Sequence, residues 1–363
     1  MTRIVTFGEI MGRLTPEGVL RFRQCLPGSL QVTFAGAEAN VAVSIACLGG
    51  NAAFVTALPK HAIADACVAN LRALGVDTQH ILRTDTGRLG LYFLETGANQ
   101  RPGKVIYDRS GSAVSLTSYN RYPWSEIFAK SHWLHVTGIT PALSKTAADA
   151  TLFAVKEARA RNLQVSCDLN FRKALWRWDP SCSPGELAER TMREILHYAD
   201  LVVANEEDAA DVLKIHARDT DVQSGKVAVE HYPEVAGEIT RQFPNVKKVG
   251  ITLRESISAS FNNWGAMLYD ASSQAAYFAP TKNLFYEPYA IRNIVDRVGG
   301  GDAFAGALIF ALTQPELQSP ETAIAFAAAA SCLAHSIVGD YNFVSRDEVE
   351  QLMKGSGTGR VVR

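Results

Sequence analysis

Val298-Gly299-Gly300-Gly301-Asp302-Ala303-Phe304 opens a run, continued through Leu312, that stays small and apolar until Gln314-Pro315 stops it. Three successive glycines put no Cβ atoms in the way, so several N–H groups can turn into one concavity. The apolar run predicts a buried helix whose first turn begins at or near Asp302. Unpaired first-turn N–H groups and the positive end of the helix dipole would then converge on one spot, suited to phosphate or developing negative charge. Asp302 sets a carboxylate beside that spot. For binding alone this is an odd choice, but it suits a site that deprotonates a hydroxyl while a phosphoryl group arrives. The dipole is expected to hold Asp302 ionised, as a weak base. A glycine-rich turn with Asp302 as an ordinary N-cap accounts for the stretch equally well, so the rest of the chain decides.

Outward from this run, the chain from about residue 131 alternates strand-like runs with amphipathic helical ones. The strand-like runs are Trp133 to Val136, Val165 to Asp168, Leu201 to Ala204 and Val249 to Leu253; the helical ones cover 147–161, 186–198, 207–215 and 233–242. This texture predicts an α/β fold, a large mostly parallel sheet flanked by helices, with ligands beyond the carboxyl ends of the strands. Upstream, Ile4 to Phe7 reads as a buried strand and VAVSIACLGG as a helix closed by Gly49-Gly50. Alternating segments near 15–35 and 87–112 predict a small β-sheet. A helix belonging to the main body separates them, so they read as a lid on one domain spanning 1–363. Residues 216–232 and the tail after Lys354 read as surface loop with no assignable role.

A chain of 363 residues with 47% hydrophobic and 20% charged residues is long and apolar enough to bury a large core. The formal charge of −1 (36 basic against 37 acidic residues) excludes wholesale attraction to nucleic acid or an anionic membrane, so an anionic ligand needs a local site. The six cysteines are scattered with no C-x-x-C pair, which argues against a zinc site or disulfide framework and fits a cytoplasmic protein. The N-terminus has no apolar run of signal-peptide length, and residues 323–334 read as a core helix too short to span a bilayer.

Asp168-Leu-Asn170-Phe-Arg172 places three polar side chains at period two on an extended segment leaving a strand. Asn205-Glu206-Glu207-Asp208 follows another strand run at the start of a helix. It reads either as ordinary dipole partners or as an oxygen-rich site for magnesium held through water. Tyr107 and Arg109 lie two apart, on one face of a lid strand, and arginine's planar fork suits a carboxylate.

Asp296 to Phe304, the early Gly36…Asn40, D-x-N-x-R at 168–172 and Asn205…Asp208 occur in the order found in the PfkB or ribokinase family of sugar kinases, which the whole chain resembles. The family's D-T-x-G-A-G-D motif stands here as Asp296-Arg-Val-Gly-Gly-Gly-Asp302, with Arg297 and Gly300 departing from it. Within the family, GEIMGRLTP (8–16), GLYFLETGANQRPGKVIYDR (90–109), CDLNFRKALW (167–176), ITLRES (251–256) and HSIVGDYN (335–342) are most similar to the branch acting on 2-keto-3-deoxygluconate. The resemblance implies a ribokinase-like fold and ATP-dependent phosphorylation of the sugar acid's terminal, C6 hydroxyl. Asp302 would be the base, and the N–H groups of Gly299, Gly300 and Gly301 would stabilise the transferring phosphoryl. Gly36, Asn40, Tyr92, Tyr107, Arg109, Arg172 and Asp340 would meet the substrate. Asn170, Asn205, Thr252, Arg254 and His335, with Gly299 and Gly301, would line the nucleotide site, and Asp208 would lie near Mg2+ through water. A monovalent cation is a further cofactor the resemblance admits, and a homodimer or higher oligomer through the lid is its default assembly. Arg13 stands where many members carry an aspartate for sugar hydroxyls, as expected for an acidic substrate or for a structural salt bridge. The rivals are a neutral-sugar kinase of fructokinase or ribokinase type and a non-catalytic sugar- or nucleotide-binding regulator.

Overall fold

The computed structural model describes residues 2–205, 207–216 and 229–355. Glu206, residues 217–228 of the expected loop and the tail from residue 356 lie outside the described residues.

Alternation along the predicted strands builds a nine-stranded sheet. Its parallel part runs Asn51–Val55, Arg3–Phe7, Trp133–Thr137, Gln164–Asp168, Leu201–Ala204 and Lys248–Ser258. Phe261–Asp270 then turns back antiparallel and carries Ala275–Ala279 and Tyr289–Ile291. Because successive side chains point to opposite faces, Val5, Val202 and Ala204 enter one core while Ile4, Leu201 and Val203 enter the other. The first core is covered by the helices Lys145–Ala160, Pro184–Leu196 and Tyr232–Gln242, the second by Ala37–Cys47, Ala62–Ala73, Gly300–Leu312 and Pro320–Ala334. Sheets covered on both faces this way place their ligands where the strands end.

The glycine helix spans Gly300–Leu312, with Gly299 as its N-cap in the left-handed region (φ 86°). It therefore starts two residues before the expected Asp302, which lies inside the first turn. From Ala303 to Ala311 it is buried on every side, as expected for a helix apolar all round.

A four-stranded sheet stands apart from the main one, in the order Gln31–Ala35, Met11–Thr15, Gly90–Glu95, Lys104–Asp108. The Met11–Thr15 strand begins upstream of the expected segment, since its interrupting glycine and arginine hide the alternation. Cross-strand register aligns Thr33, Arg13, Tyr92 and Tyr107 in one row, hence on one face. Val32 and Ile106 lie on the opposite face and are exposed. Among the described residues no helix is long and apolar enough to cross a membrane, and the six cysteines are free.

Candidate active site

Where the parallel strands end, Gly138, Asp168 and Ala204 leave the sheet side by side, and the glycine helix points its N-terminus at the same place. The first intrahelical bond runs from the Ala303 N–H to the Gly299 carbonyl at 2.8 Å. The N–H groups of Gly300, Gly301 and Asp302 thus precede any helical acceptor. Gly299 makes the entry turn: beyond its positive φ, a Cβ there would lie 2.2 Å from the Asp340 carbonyl oxygen. A Cβ on Gly301 would meet no atom within 4 Å, so the cleft is open above it.

Asp302 is buried and held by Asn40. The Asn40 amide donates to Asp302 Oδ2 at 2.6 Å, while its carbonyl accepts the Gly36 N–H at 3.1 Å. Gly36 is needed for its close approach to the Glu9 backbone, where a Cβ would sit 2.0 Å from the carbonyl oxygen. Burial pushes the Asp302 carboxyl up to about 7; the Asn40 hydrogen bond and Arg172 draw it down, while Asp340 and Glu38 push it further up. This corrects the expectation that the helix dipole keeps Asp302 a weak, ionised base: desolvation outweighs the dipole. Such a group is partly deprotonated near neutral pH, the poise a general base needs.

Around it lie further carboxyls. Asp168 ends its strand, and its Oδ1 accepts the Asn170 N–H at 3.1 Å, turning the chain into a left-handed residue at Asn170 (φ 37°). The segment 168–172 is therefore a turn and not the extended strand continuation read from its spacing, yet Asp168, Asn170 and Arg172 all line the cleft. Burial pushes Asp168 well up, with Asp208 and Asp302 adding to the effect. Asp208 is also raised by burial. Its oxygens accept N–H groups from Phe171 and Asn205, each at 3.1 Å. Each oxygen keeps a further lone pair, which suits a hydrated divalent cation. Among the described residues no three His, Cys, Asp or Glu side chains converge as direct metal ligands. Beneath the site, Glu38 Oε1 accepts hydroxyls from Thr137 and Thr140 at 2.8 Å each, and burial raises its carboxyl.

The small sheet closes one side. Arg13 is buried and ion-paired with both Asp296 and Asp340, and Tyr92 donates to Asp340 at 2.7 Å. Asp296 in turn accepts the N–H groups of Val298 (3.1 Å) and Gly339 (3.2 Å), which ties the glycine loop to the same cluster. Of the two expectations for Arg13, the salt bridge is the one observed. Arg109 enters the cleft with its guanidinium 5.4 Å from the Tyr107 ring, its Nε donating to Glu9 at 2.7 Å. Arg172 is exposed at the cleft, and among the described residues no carboxylate lies within ion-pair distance of it.

On the far side, Thr252 and Arg254 follow each other at period two on the last parallel strand. His335 is packed edge-on against Trp264 (4.7 Å) and holds the Ser331 carbonyl at 2.7 Å through Nδ1. It is a packed residue that also borders the cleft beside Gly300. Every residue assigned from the sequence to the base, the substrate, the nucleotide or the metal lines this one cleft, from Gly36 and Asn40 through Asn205 and Asp208 to His335 and Asp340, whereas Arg13 is not among the lining residues. Asn262, Trp264 and Arg297 line it too and were not singled out as site residues. Only Arg297 left a signal, as a departure from the family motif. Asn262 and Trp264 sit on an antiparallel strand whose pattern is that of any half-buried strand.

Residues 1–239 and 265–346 match the model of the pfkB family carbohydrate kinases. A 2-dehydro-3-deoxygalactonokinase of Haloferax volcanii is 31% identical over 98% of both chains. The crystal structure of a 2-dehydro-3-deoxygluconokinase from Thermotoga maritima superposes with a TM-score of 0.87 at 42% identity, covering 98% of this chain and 100% of that one. A fructokinase-1 of Oryza sativa is 27% identical over 86% of this chain and 83% of its own.

Proposed function

The chain belongs to the pfkB family of carbohydrate kinases and is a phosphotransferase; from that premise we propose that it uses Mg-ATP to phosphorylate the terminal C6 hydroxyl of 2-keto-3-deoxygluconate, giving the 6-phosphate. One observation carries the reading: a buried carboxyl poised at about 7, fixed by Asn40, in the first turn of a helix whose N–H groups open on the same cleft. Asp302 takes the proton of the hydroxyl as the hydroxyl oxygen bonds to the γ-phosphorus of ATP, while the bond from that phosphorus to the β,γ-bridging oxygen breaks and ADP leaves with its electron pair. The N–H groups of Gly300, Gly301 and Asp302 hold the charge on the transferring oxygens, and Gly299 shapes the turn that aims them. Transfer of this kind is carried mainly by positioning and electrostatics. Mg2+, when bound, neutralises phosphate charge; Asp208, with Asn170 and Asn205 beside it, would hold its waters.

Arg172, Arg109, Tyr107 and Tyr92 are assigned to the sugar acid, with Gly36 and Asn40 at the hydroxyl end. Arg172 supports this best, since an exposed guanidinium at the cleft with no carboxylate ion pair among the described residues suits a carboxylate. The small sheet serves as a lid on a single domain, and its exposed Val32 and Ile106 face suits a homodimer. The fructokinase likeness favours a neutral sugar as the second reading. A coupled assay with 2-keto-3-deoxygluconate, fructose, ribose and adenosine separates the two. The sugar acid should be turned over with the highest kcat/KM; a preference for fructose or ribose moves the assignment to the rival, and no turnover of any sugar moves it to a regulator. Asp302→Ala should abolish turnover and keep ADP binding, whereas retention of more than about a tenth of activity defeats the base assignment.

A further inference from the structure

Arg297 sits where the glycine loop begins, and nothing assigned so far uses it. Its Nη2 donates to Asn262 Oδ1 at 2.8 Å. Its buried Nε–H has no acceptor, and neither has the Nδ2 of Asn262, which is 1% exposed. Among the described residues no carboxylate pairs with Arg297. A half-buried guanidinium without an anion is costly unless a ligand supplies one. The unsatisfied groups here are all donors, and one is cationic, so the missing partner is an anionic oxygen.

We propose that Arg297, oriented by Asn262, grips a non-transferred phosphate of the nucleotide donor; this rests on the nucleotide reading of the cleft. The position fits in three ways. Arg297 lies three residues before Gly300, within about 10 Å of chain, so it reaches a phosphate next to the one cradled by the first turn. The cation acting on Asp302 is Arg172, which leaves Arg297 for a phosphate away from the transfer point. Arg254 lines the cleft nearby, and burial, with the Arg254 charge adding to it, disfavours the Arg297 cation. Polyphosphate between the two guanidiniums relieves that repulsion, and AMP or a nucleoside offers too little charge to do so.

Isothermal titration of ADP, AMP and adenosine into wild type, Arg297→Ala and Arg297→Lys tests this. Arg297→Ala should weaken ADP about tenfold or more, as loss of a charge-assisted hydrogen bond does. Adenosine should change less than about twofold, AMP should fall between, and Arg297→Lys should recover part of the ADP affinity. Unchanged ADP affinity overturns the proposal, as does an equal loss for adenosine, which marks a structural role. Wild type that binds ADP yet phosphorylates no sugar defeats the proposed function while leaving this test intact; wild type that binds no ADP defeats both.

Discussion

Replacing Asn40 by alanine removes the donor that holds Asp302 in its ionised form and leaves the carboxyl itself in place. The contact is short, 2.6 Å, and buried. A hydrogen bond to a charged group contributes about 1.5–3 kcal/mol. At about 1.4 kcal/mol per pH unit, its loss raises the carboxyl by about one to two units. The direction is fixed: Asn40 lowers the Asp302 value, so its removal lifts the value above the present level of about 7. The acid limb of kcat/KM for the sugar acid, at saturating Mg-ATP, should therefore move from near 7 to about 8–9. At neutral pH the variant should lose about tenfold in rate and regain most of it at high pH, because the base survives and only its ionisation is displaced. Asn40→Asp places a second carboxyl there and should move the limb further up. A limb that stays where it was, moves down, or shows a loss equal at every pH refutes the reasoning, since a purely steric defect is indifferent to pH.

Arg109→Ala should raise KM for the sugar acid by about tenfold or more and KM for ATP by less than about threefold; steady-state kinetics with each substrate varied checks this, and equal effects count against a carboxylate contact. Arg13→Met strands two buried carboxylates and should destabilise the protein by about 3–5 kcal/mol in urea unfolding, with Arg13→Met/Asp340→Asn recovering part of the loss. Burial holds His135 down at about 3, against 6.5 when unfolded. Below about 6.5 the unfolded chain takes up a proton that the folded one refuses, so stability falls as pH drops through this window by a few kcal/mol. His135→Gln should flatten that fall between pH 8 and pH 5 in urea midpoints, and an unchanged slope removes His135 from the account.

Much of the site could be read from the sequence because its parts are local. Asp168 to Arg172 and Asn205 to Asp208 each follow a strand run whose end the apolar pattern marks, the glycine run opens an unbroken apolar helix, and topology brings these ends together. What could not be read is what depends on long-range pairing. Arg13 meets Asp296 and Asp340 across roughly three hundred residues, and nothing in GEIMGRLTP distinguishes an arginine facing a substrate from one facing two aspartates. Asn262 presents the same difficulty, being one polar residue on an alternating strand until Arg297 is packed against it. The turn at Asn170 was hidden for a different reason. An aspartate accepting the N–H two residues on bends the chain, while the period-two spacing alone implies that it continues.

The ionisation of Asp302 shows which effect governs the site. A helix N-terminus is worth about 0.3–1 kcal/mol to a carboxylate, up to about 2 when partly buried, or at most about one and a half pH units. Burial carries the carboxyl in the opposite direction, from 3.8 up to about 7. Burial beside Asp340 and Glu38 therefore dominates, and the dipole only moderates it. The same first-turn N–H groups cannot serve fully both as stabilisers of Asp302 and as the cradle for a phosphoryl group. Under the proposed function they are left to the phosphoryl group, while Asn40 holds the Asp302 carboxyl instead. That division explains why an asparagine from a distant helix is fixed on one side by the Gly36 N–H and spends its amide on Asp302. It also sets a requirement on the cations. Each anionic group entering the cleft would push Asp302 still higher and empty it of negative charge, unless guanidiniums arrive with matching proximity. On the proposed assignments Arg172, which already lowers the Asp302 value, would meet that requirement from the sugar-acid side and Arg297 along the loop, so that the carboxyl would remain a base with both anions bound.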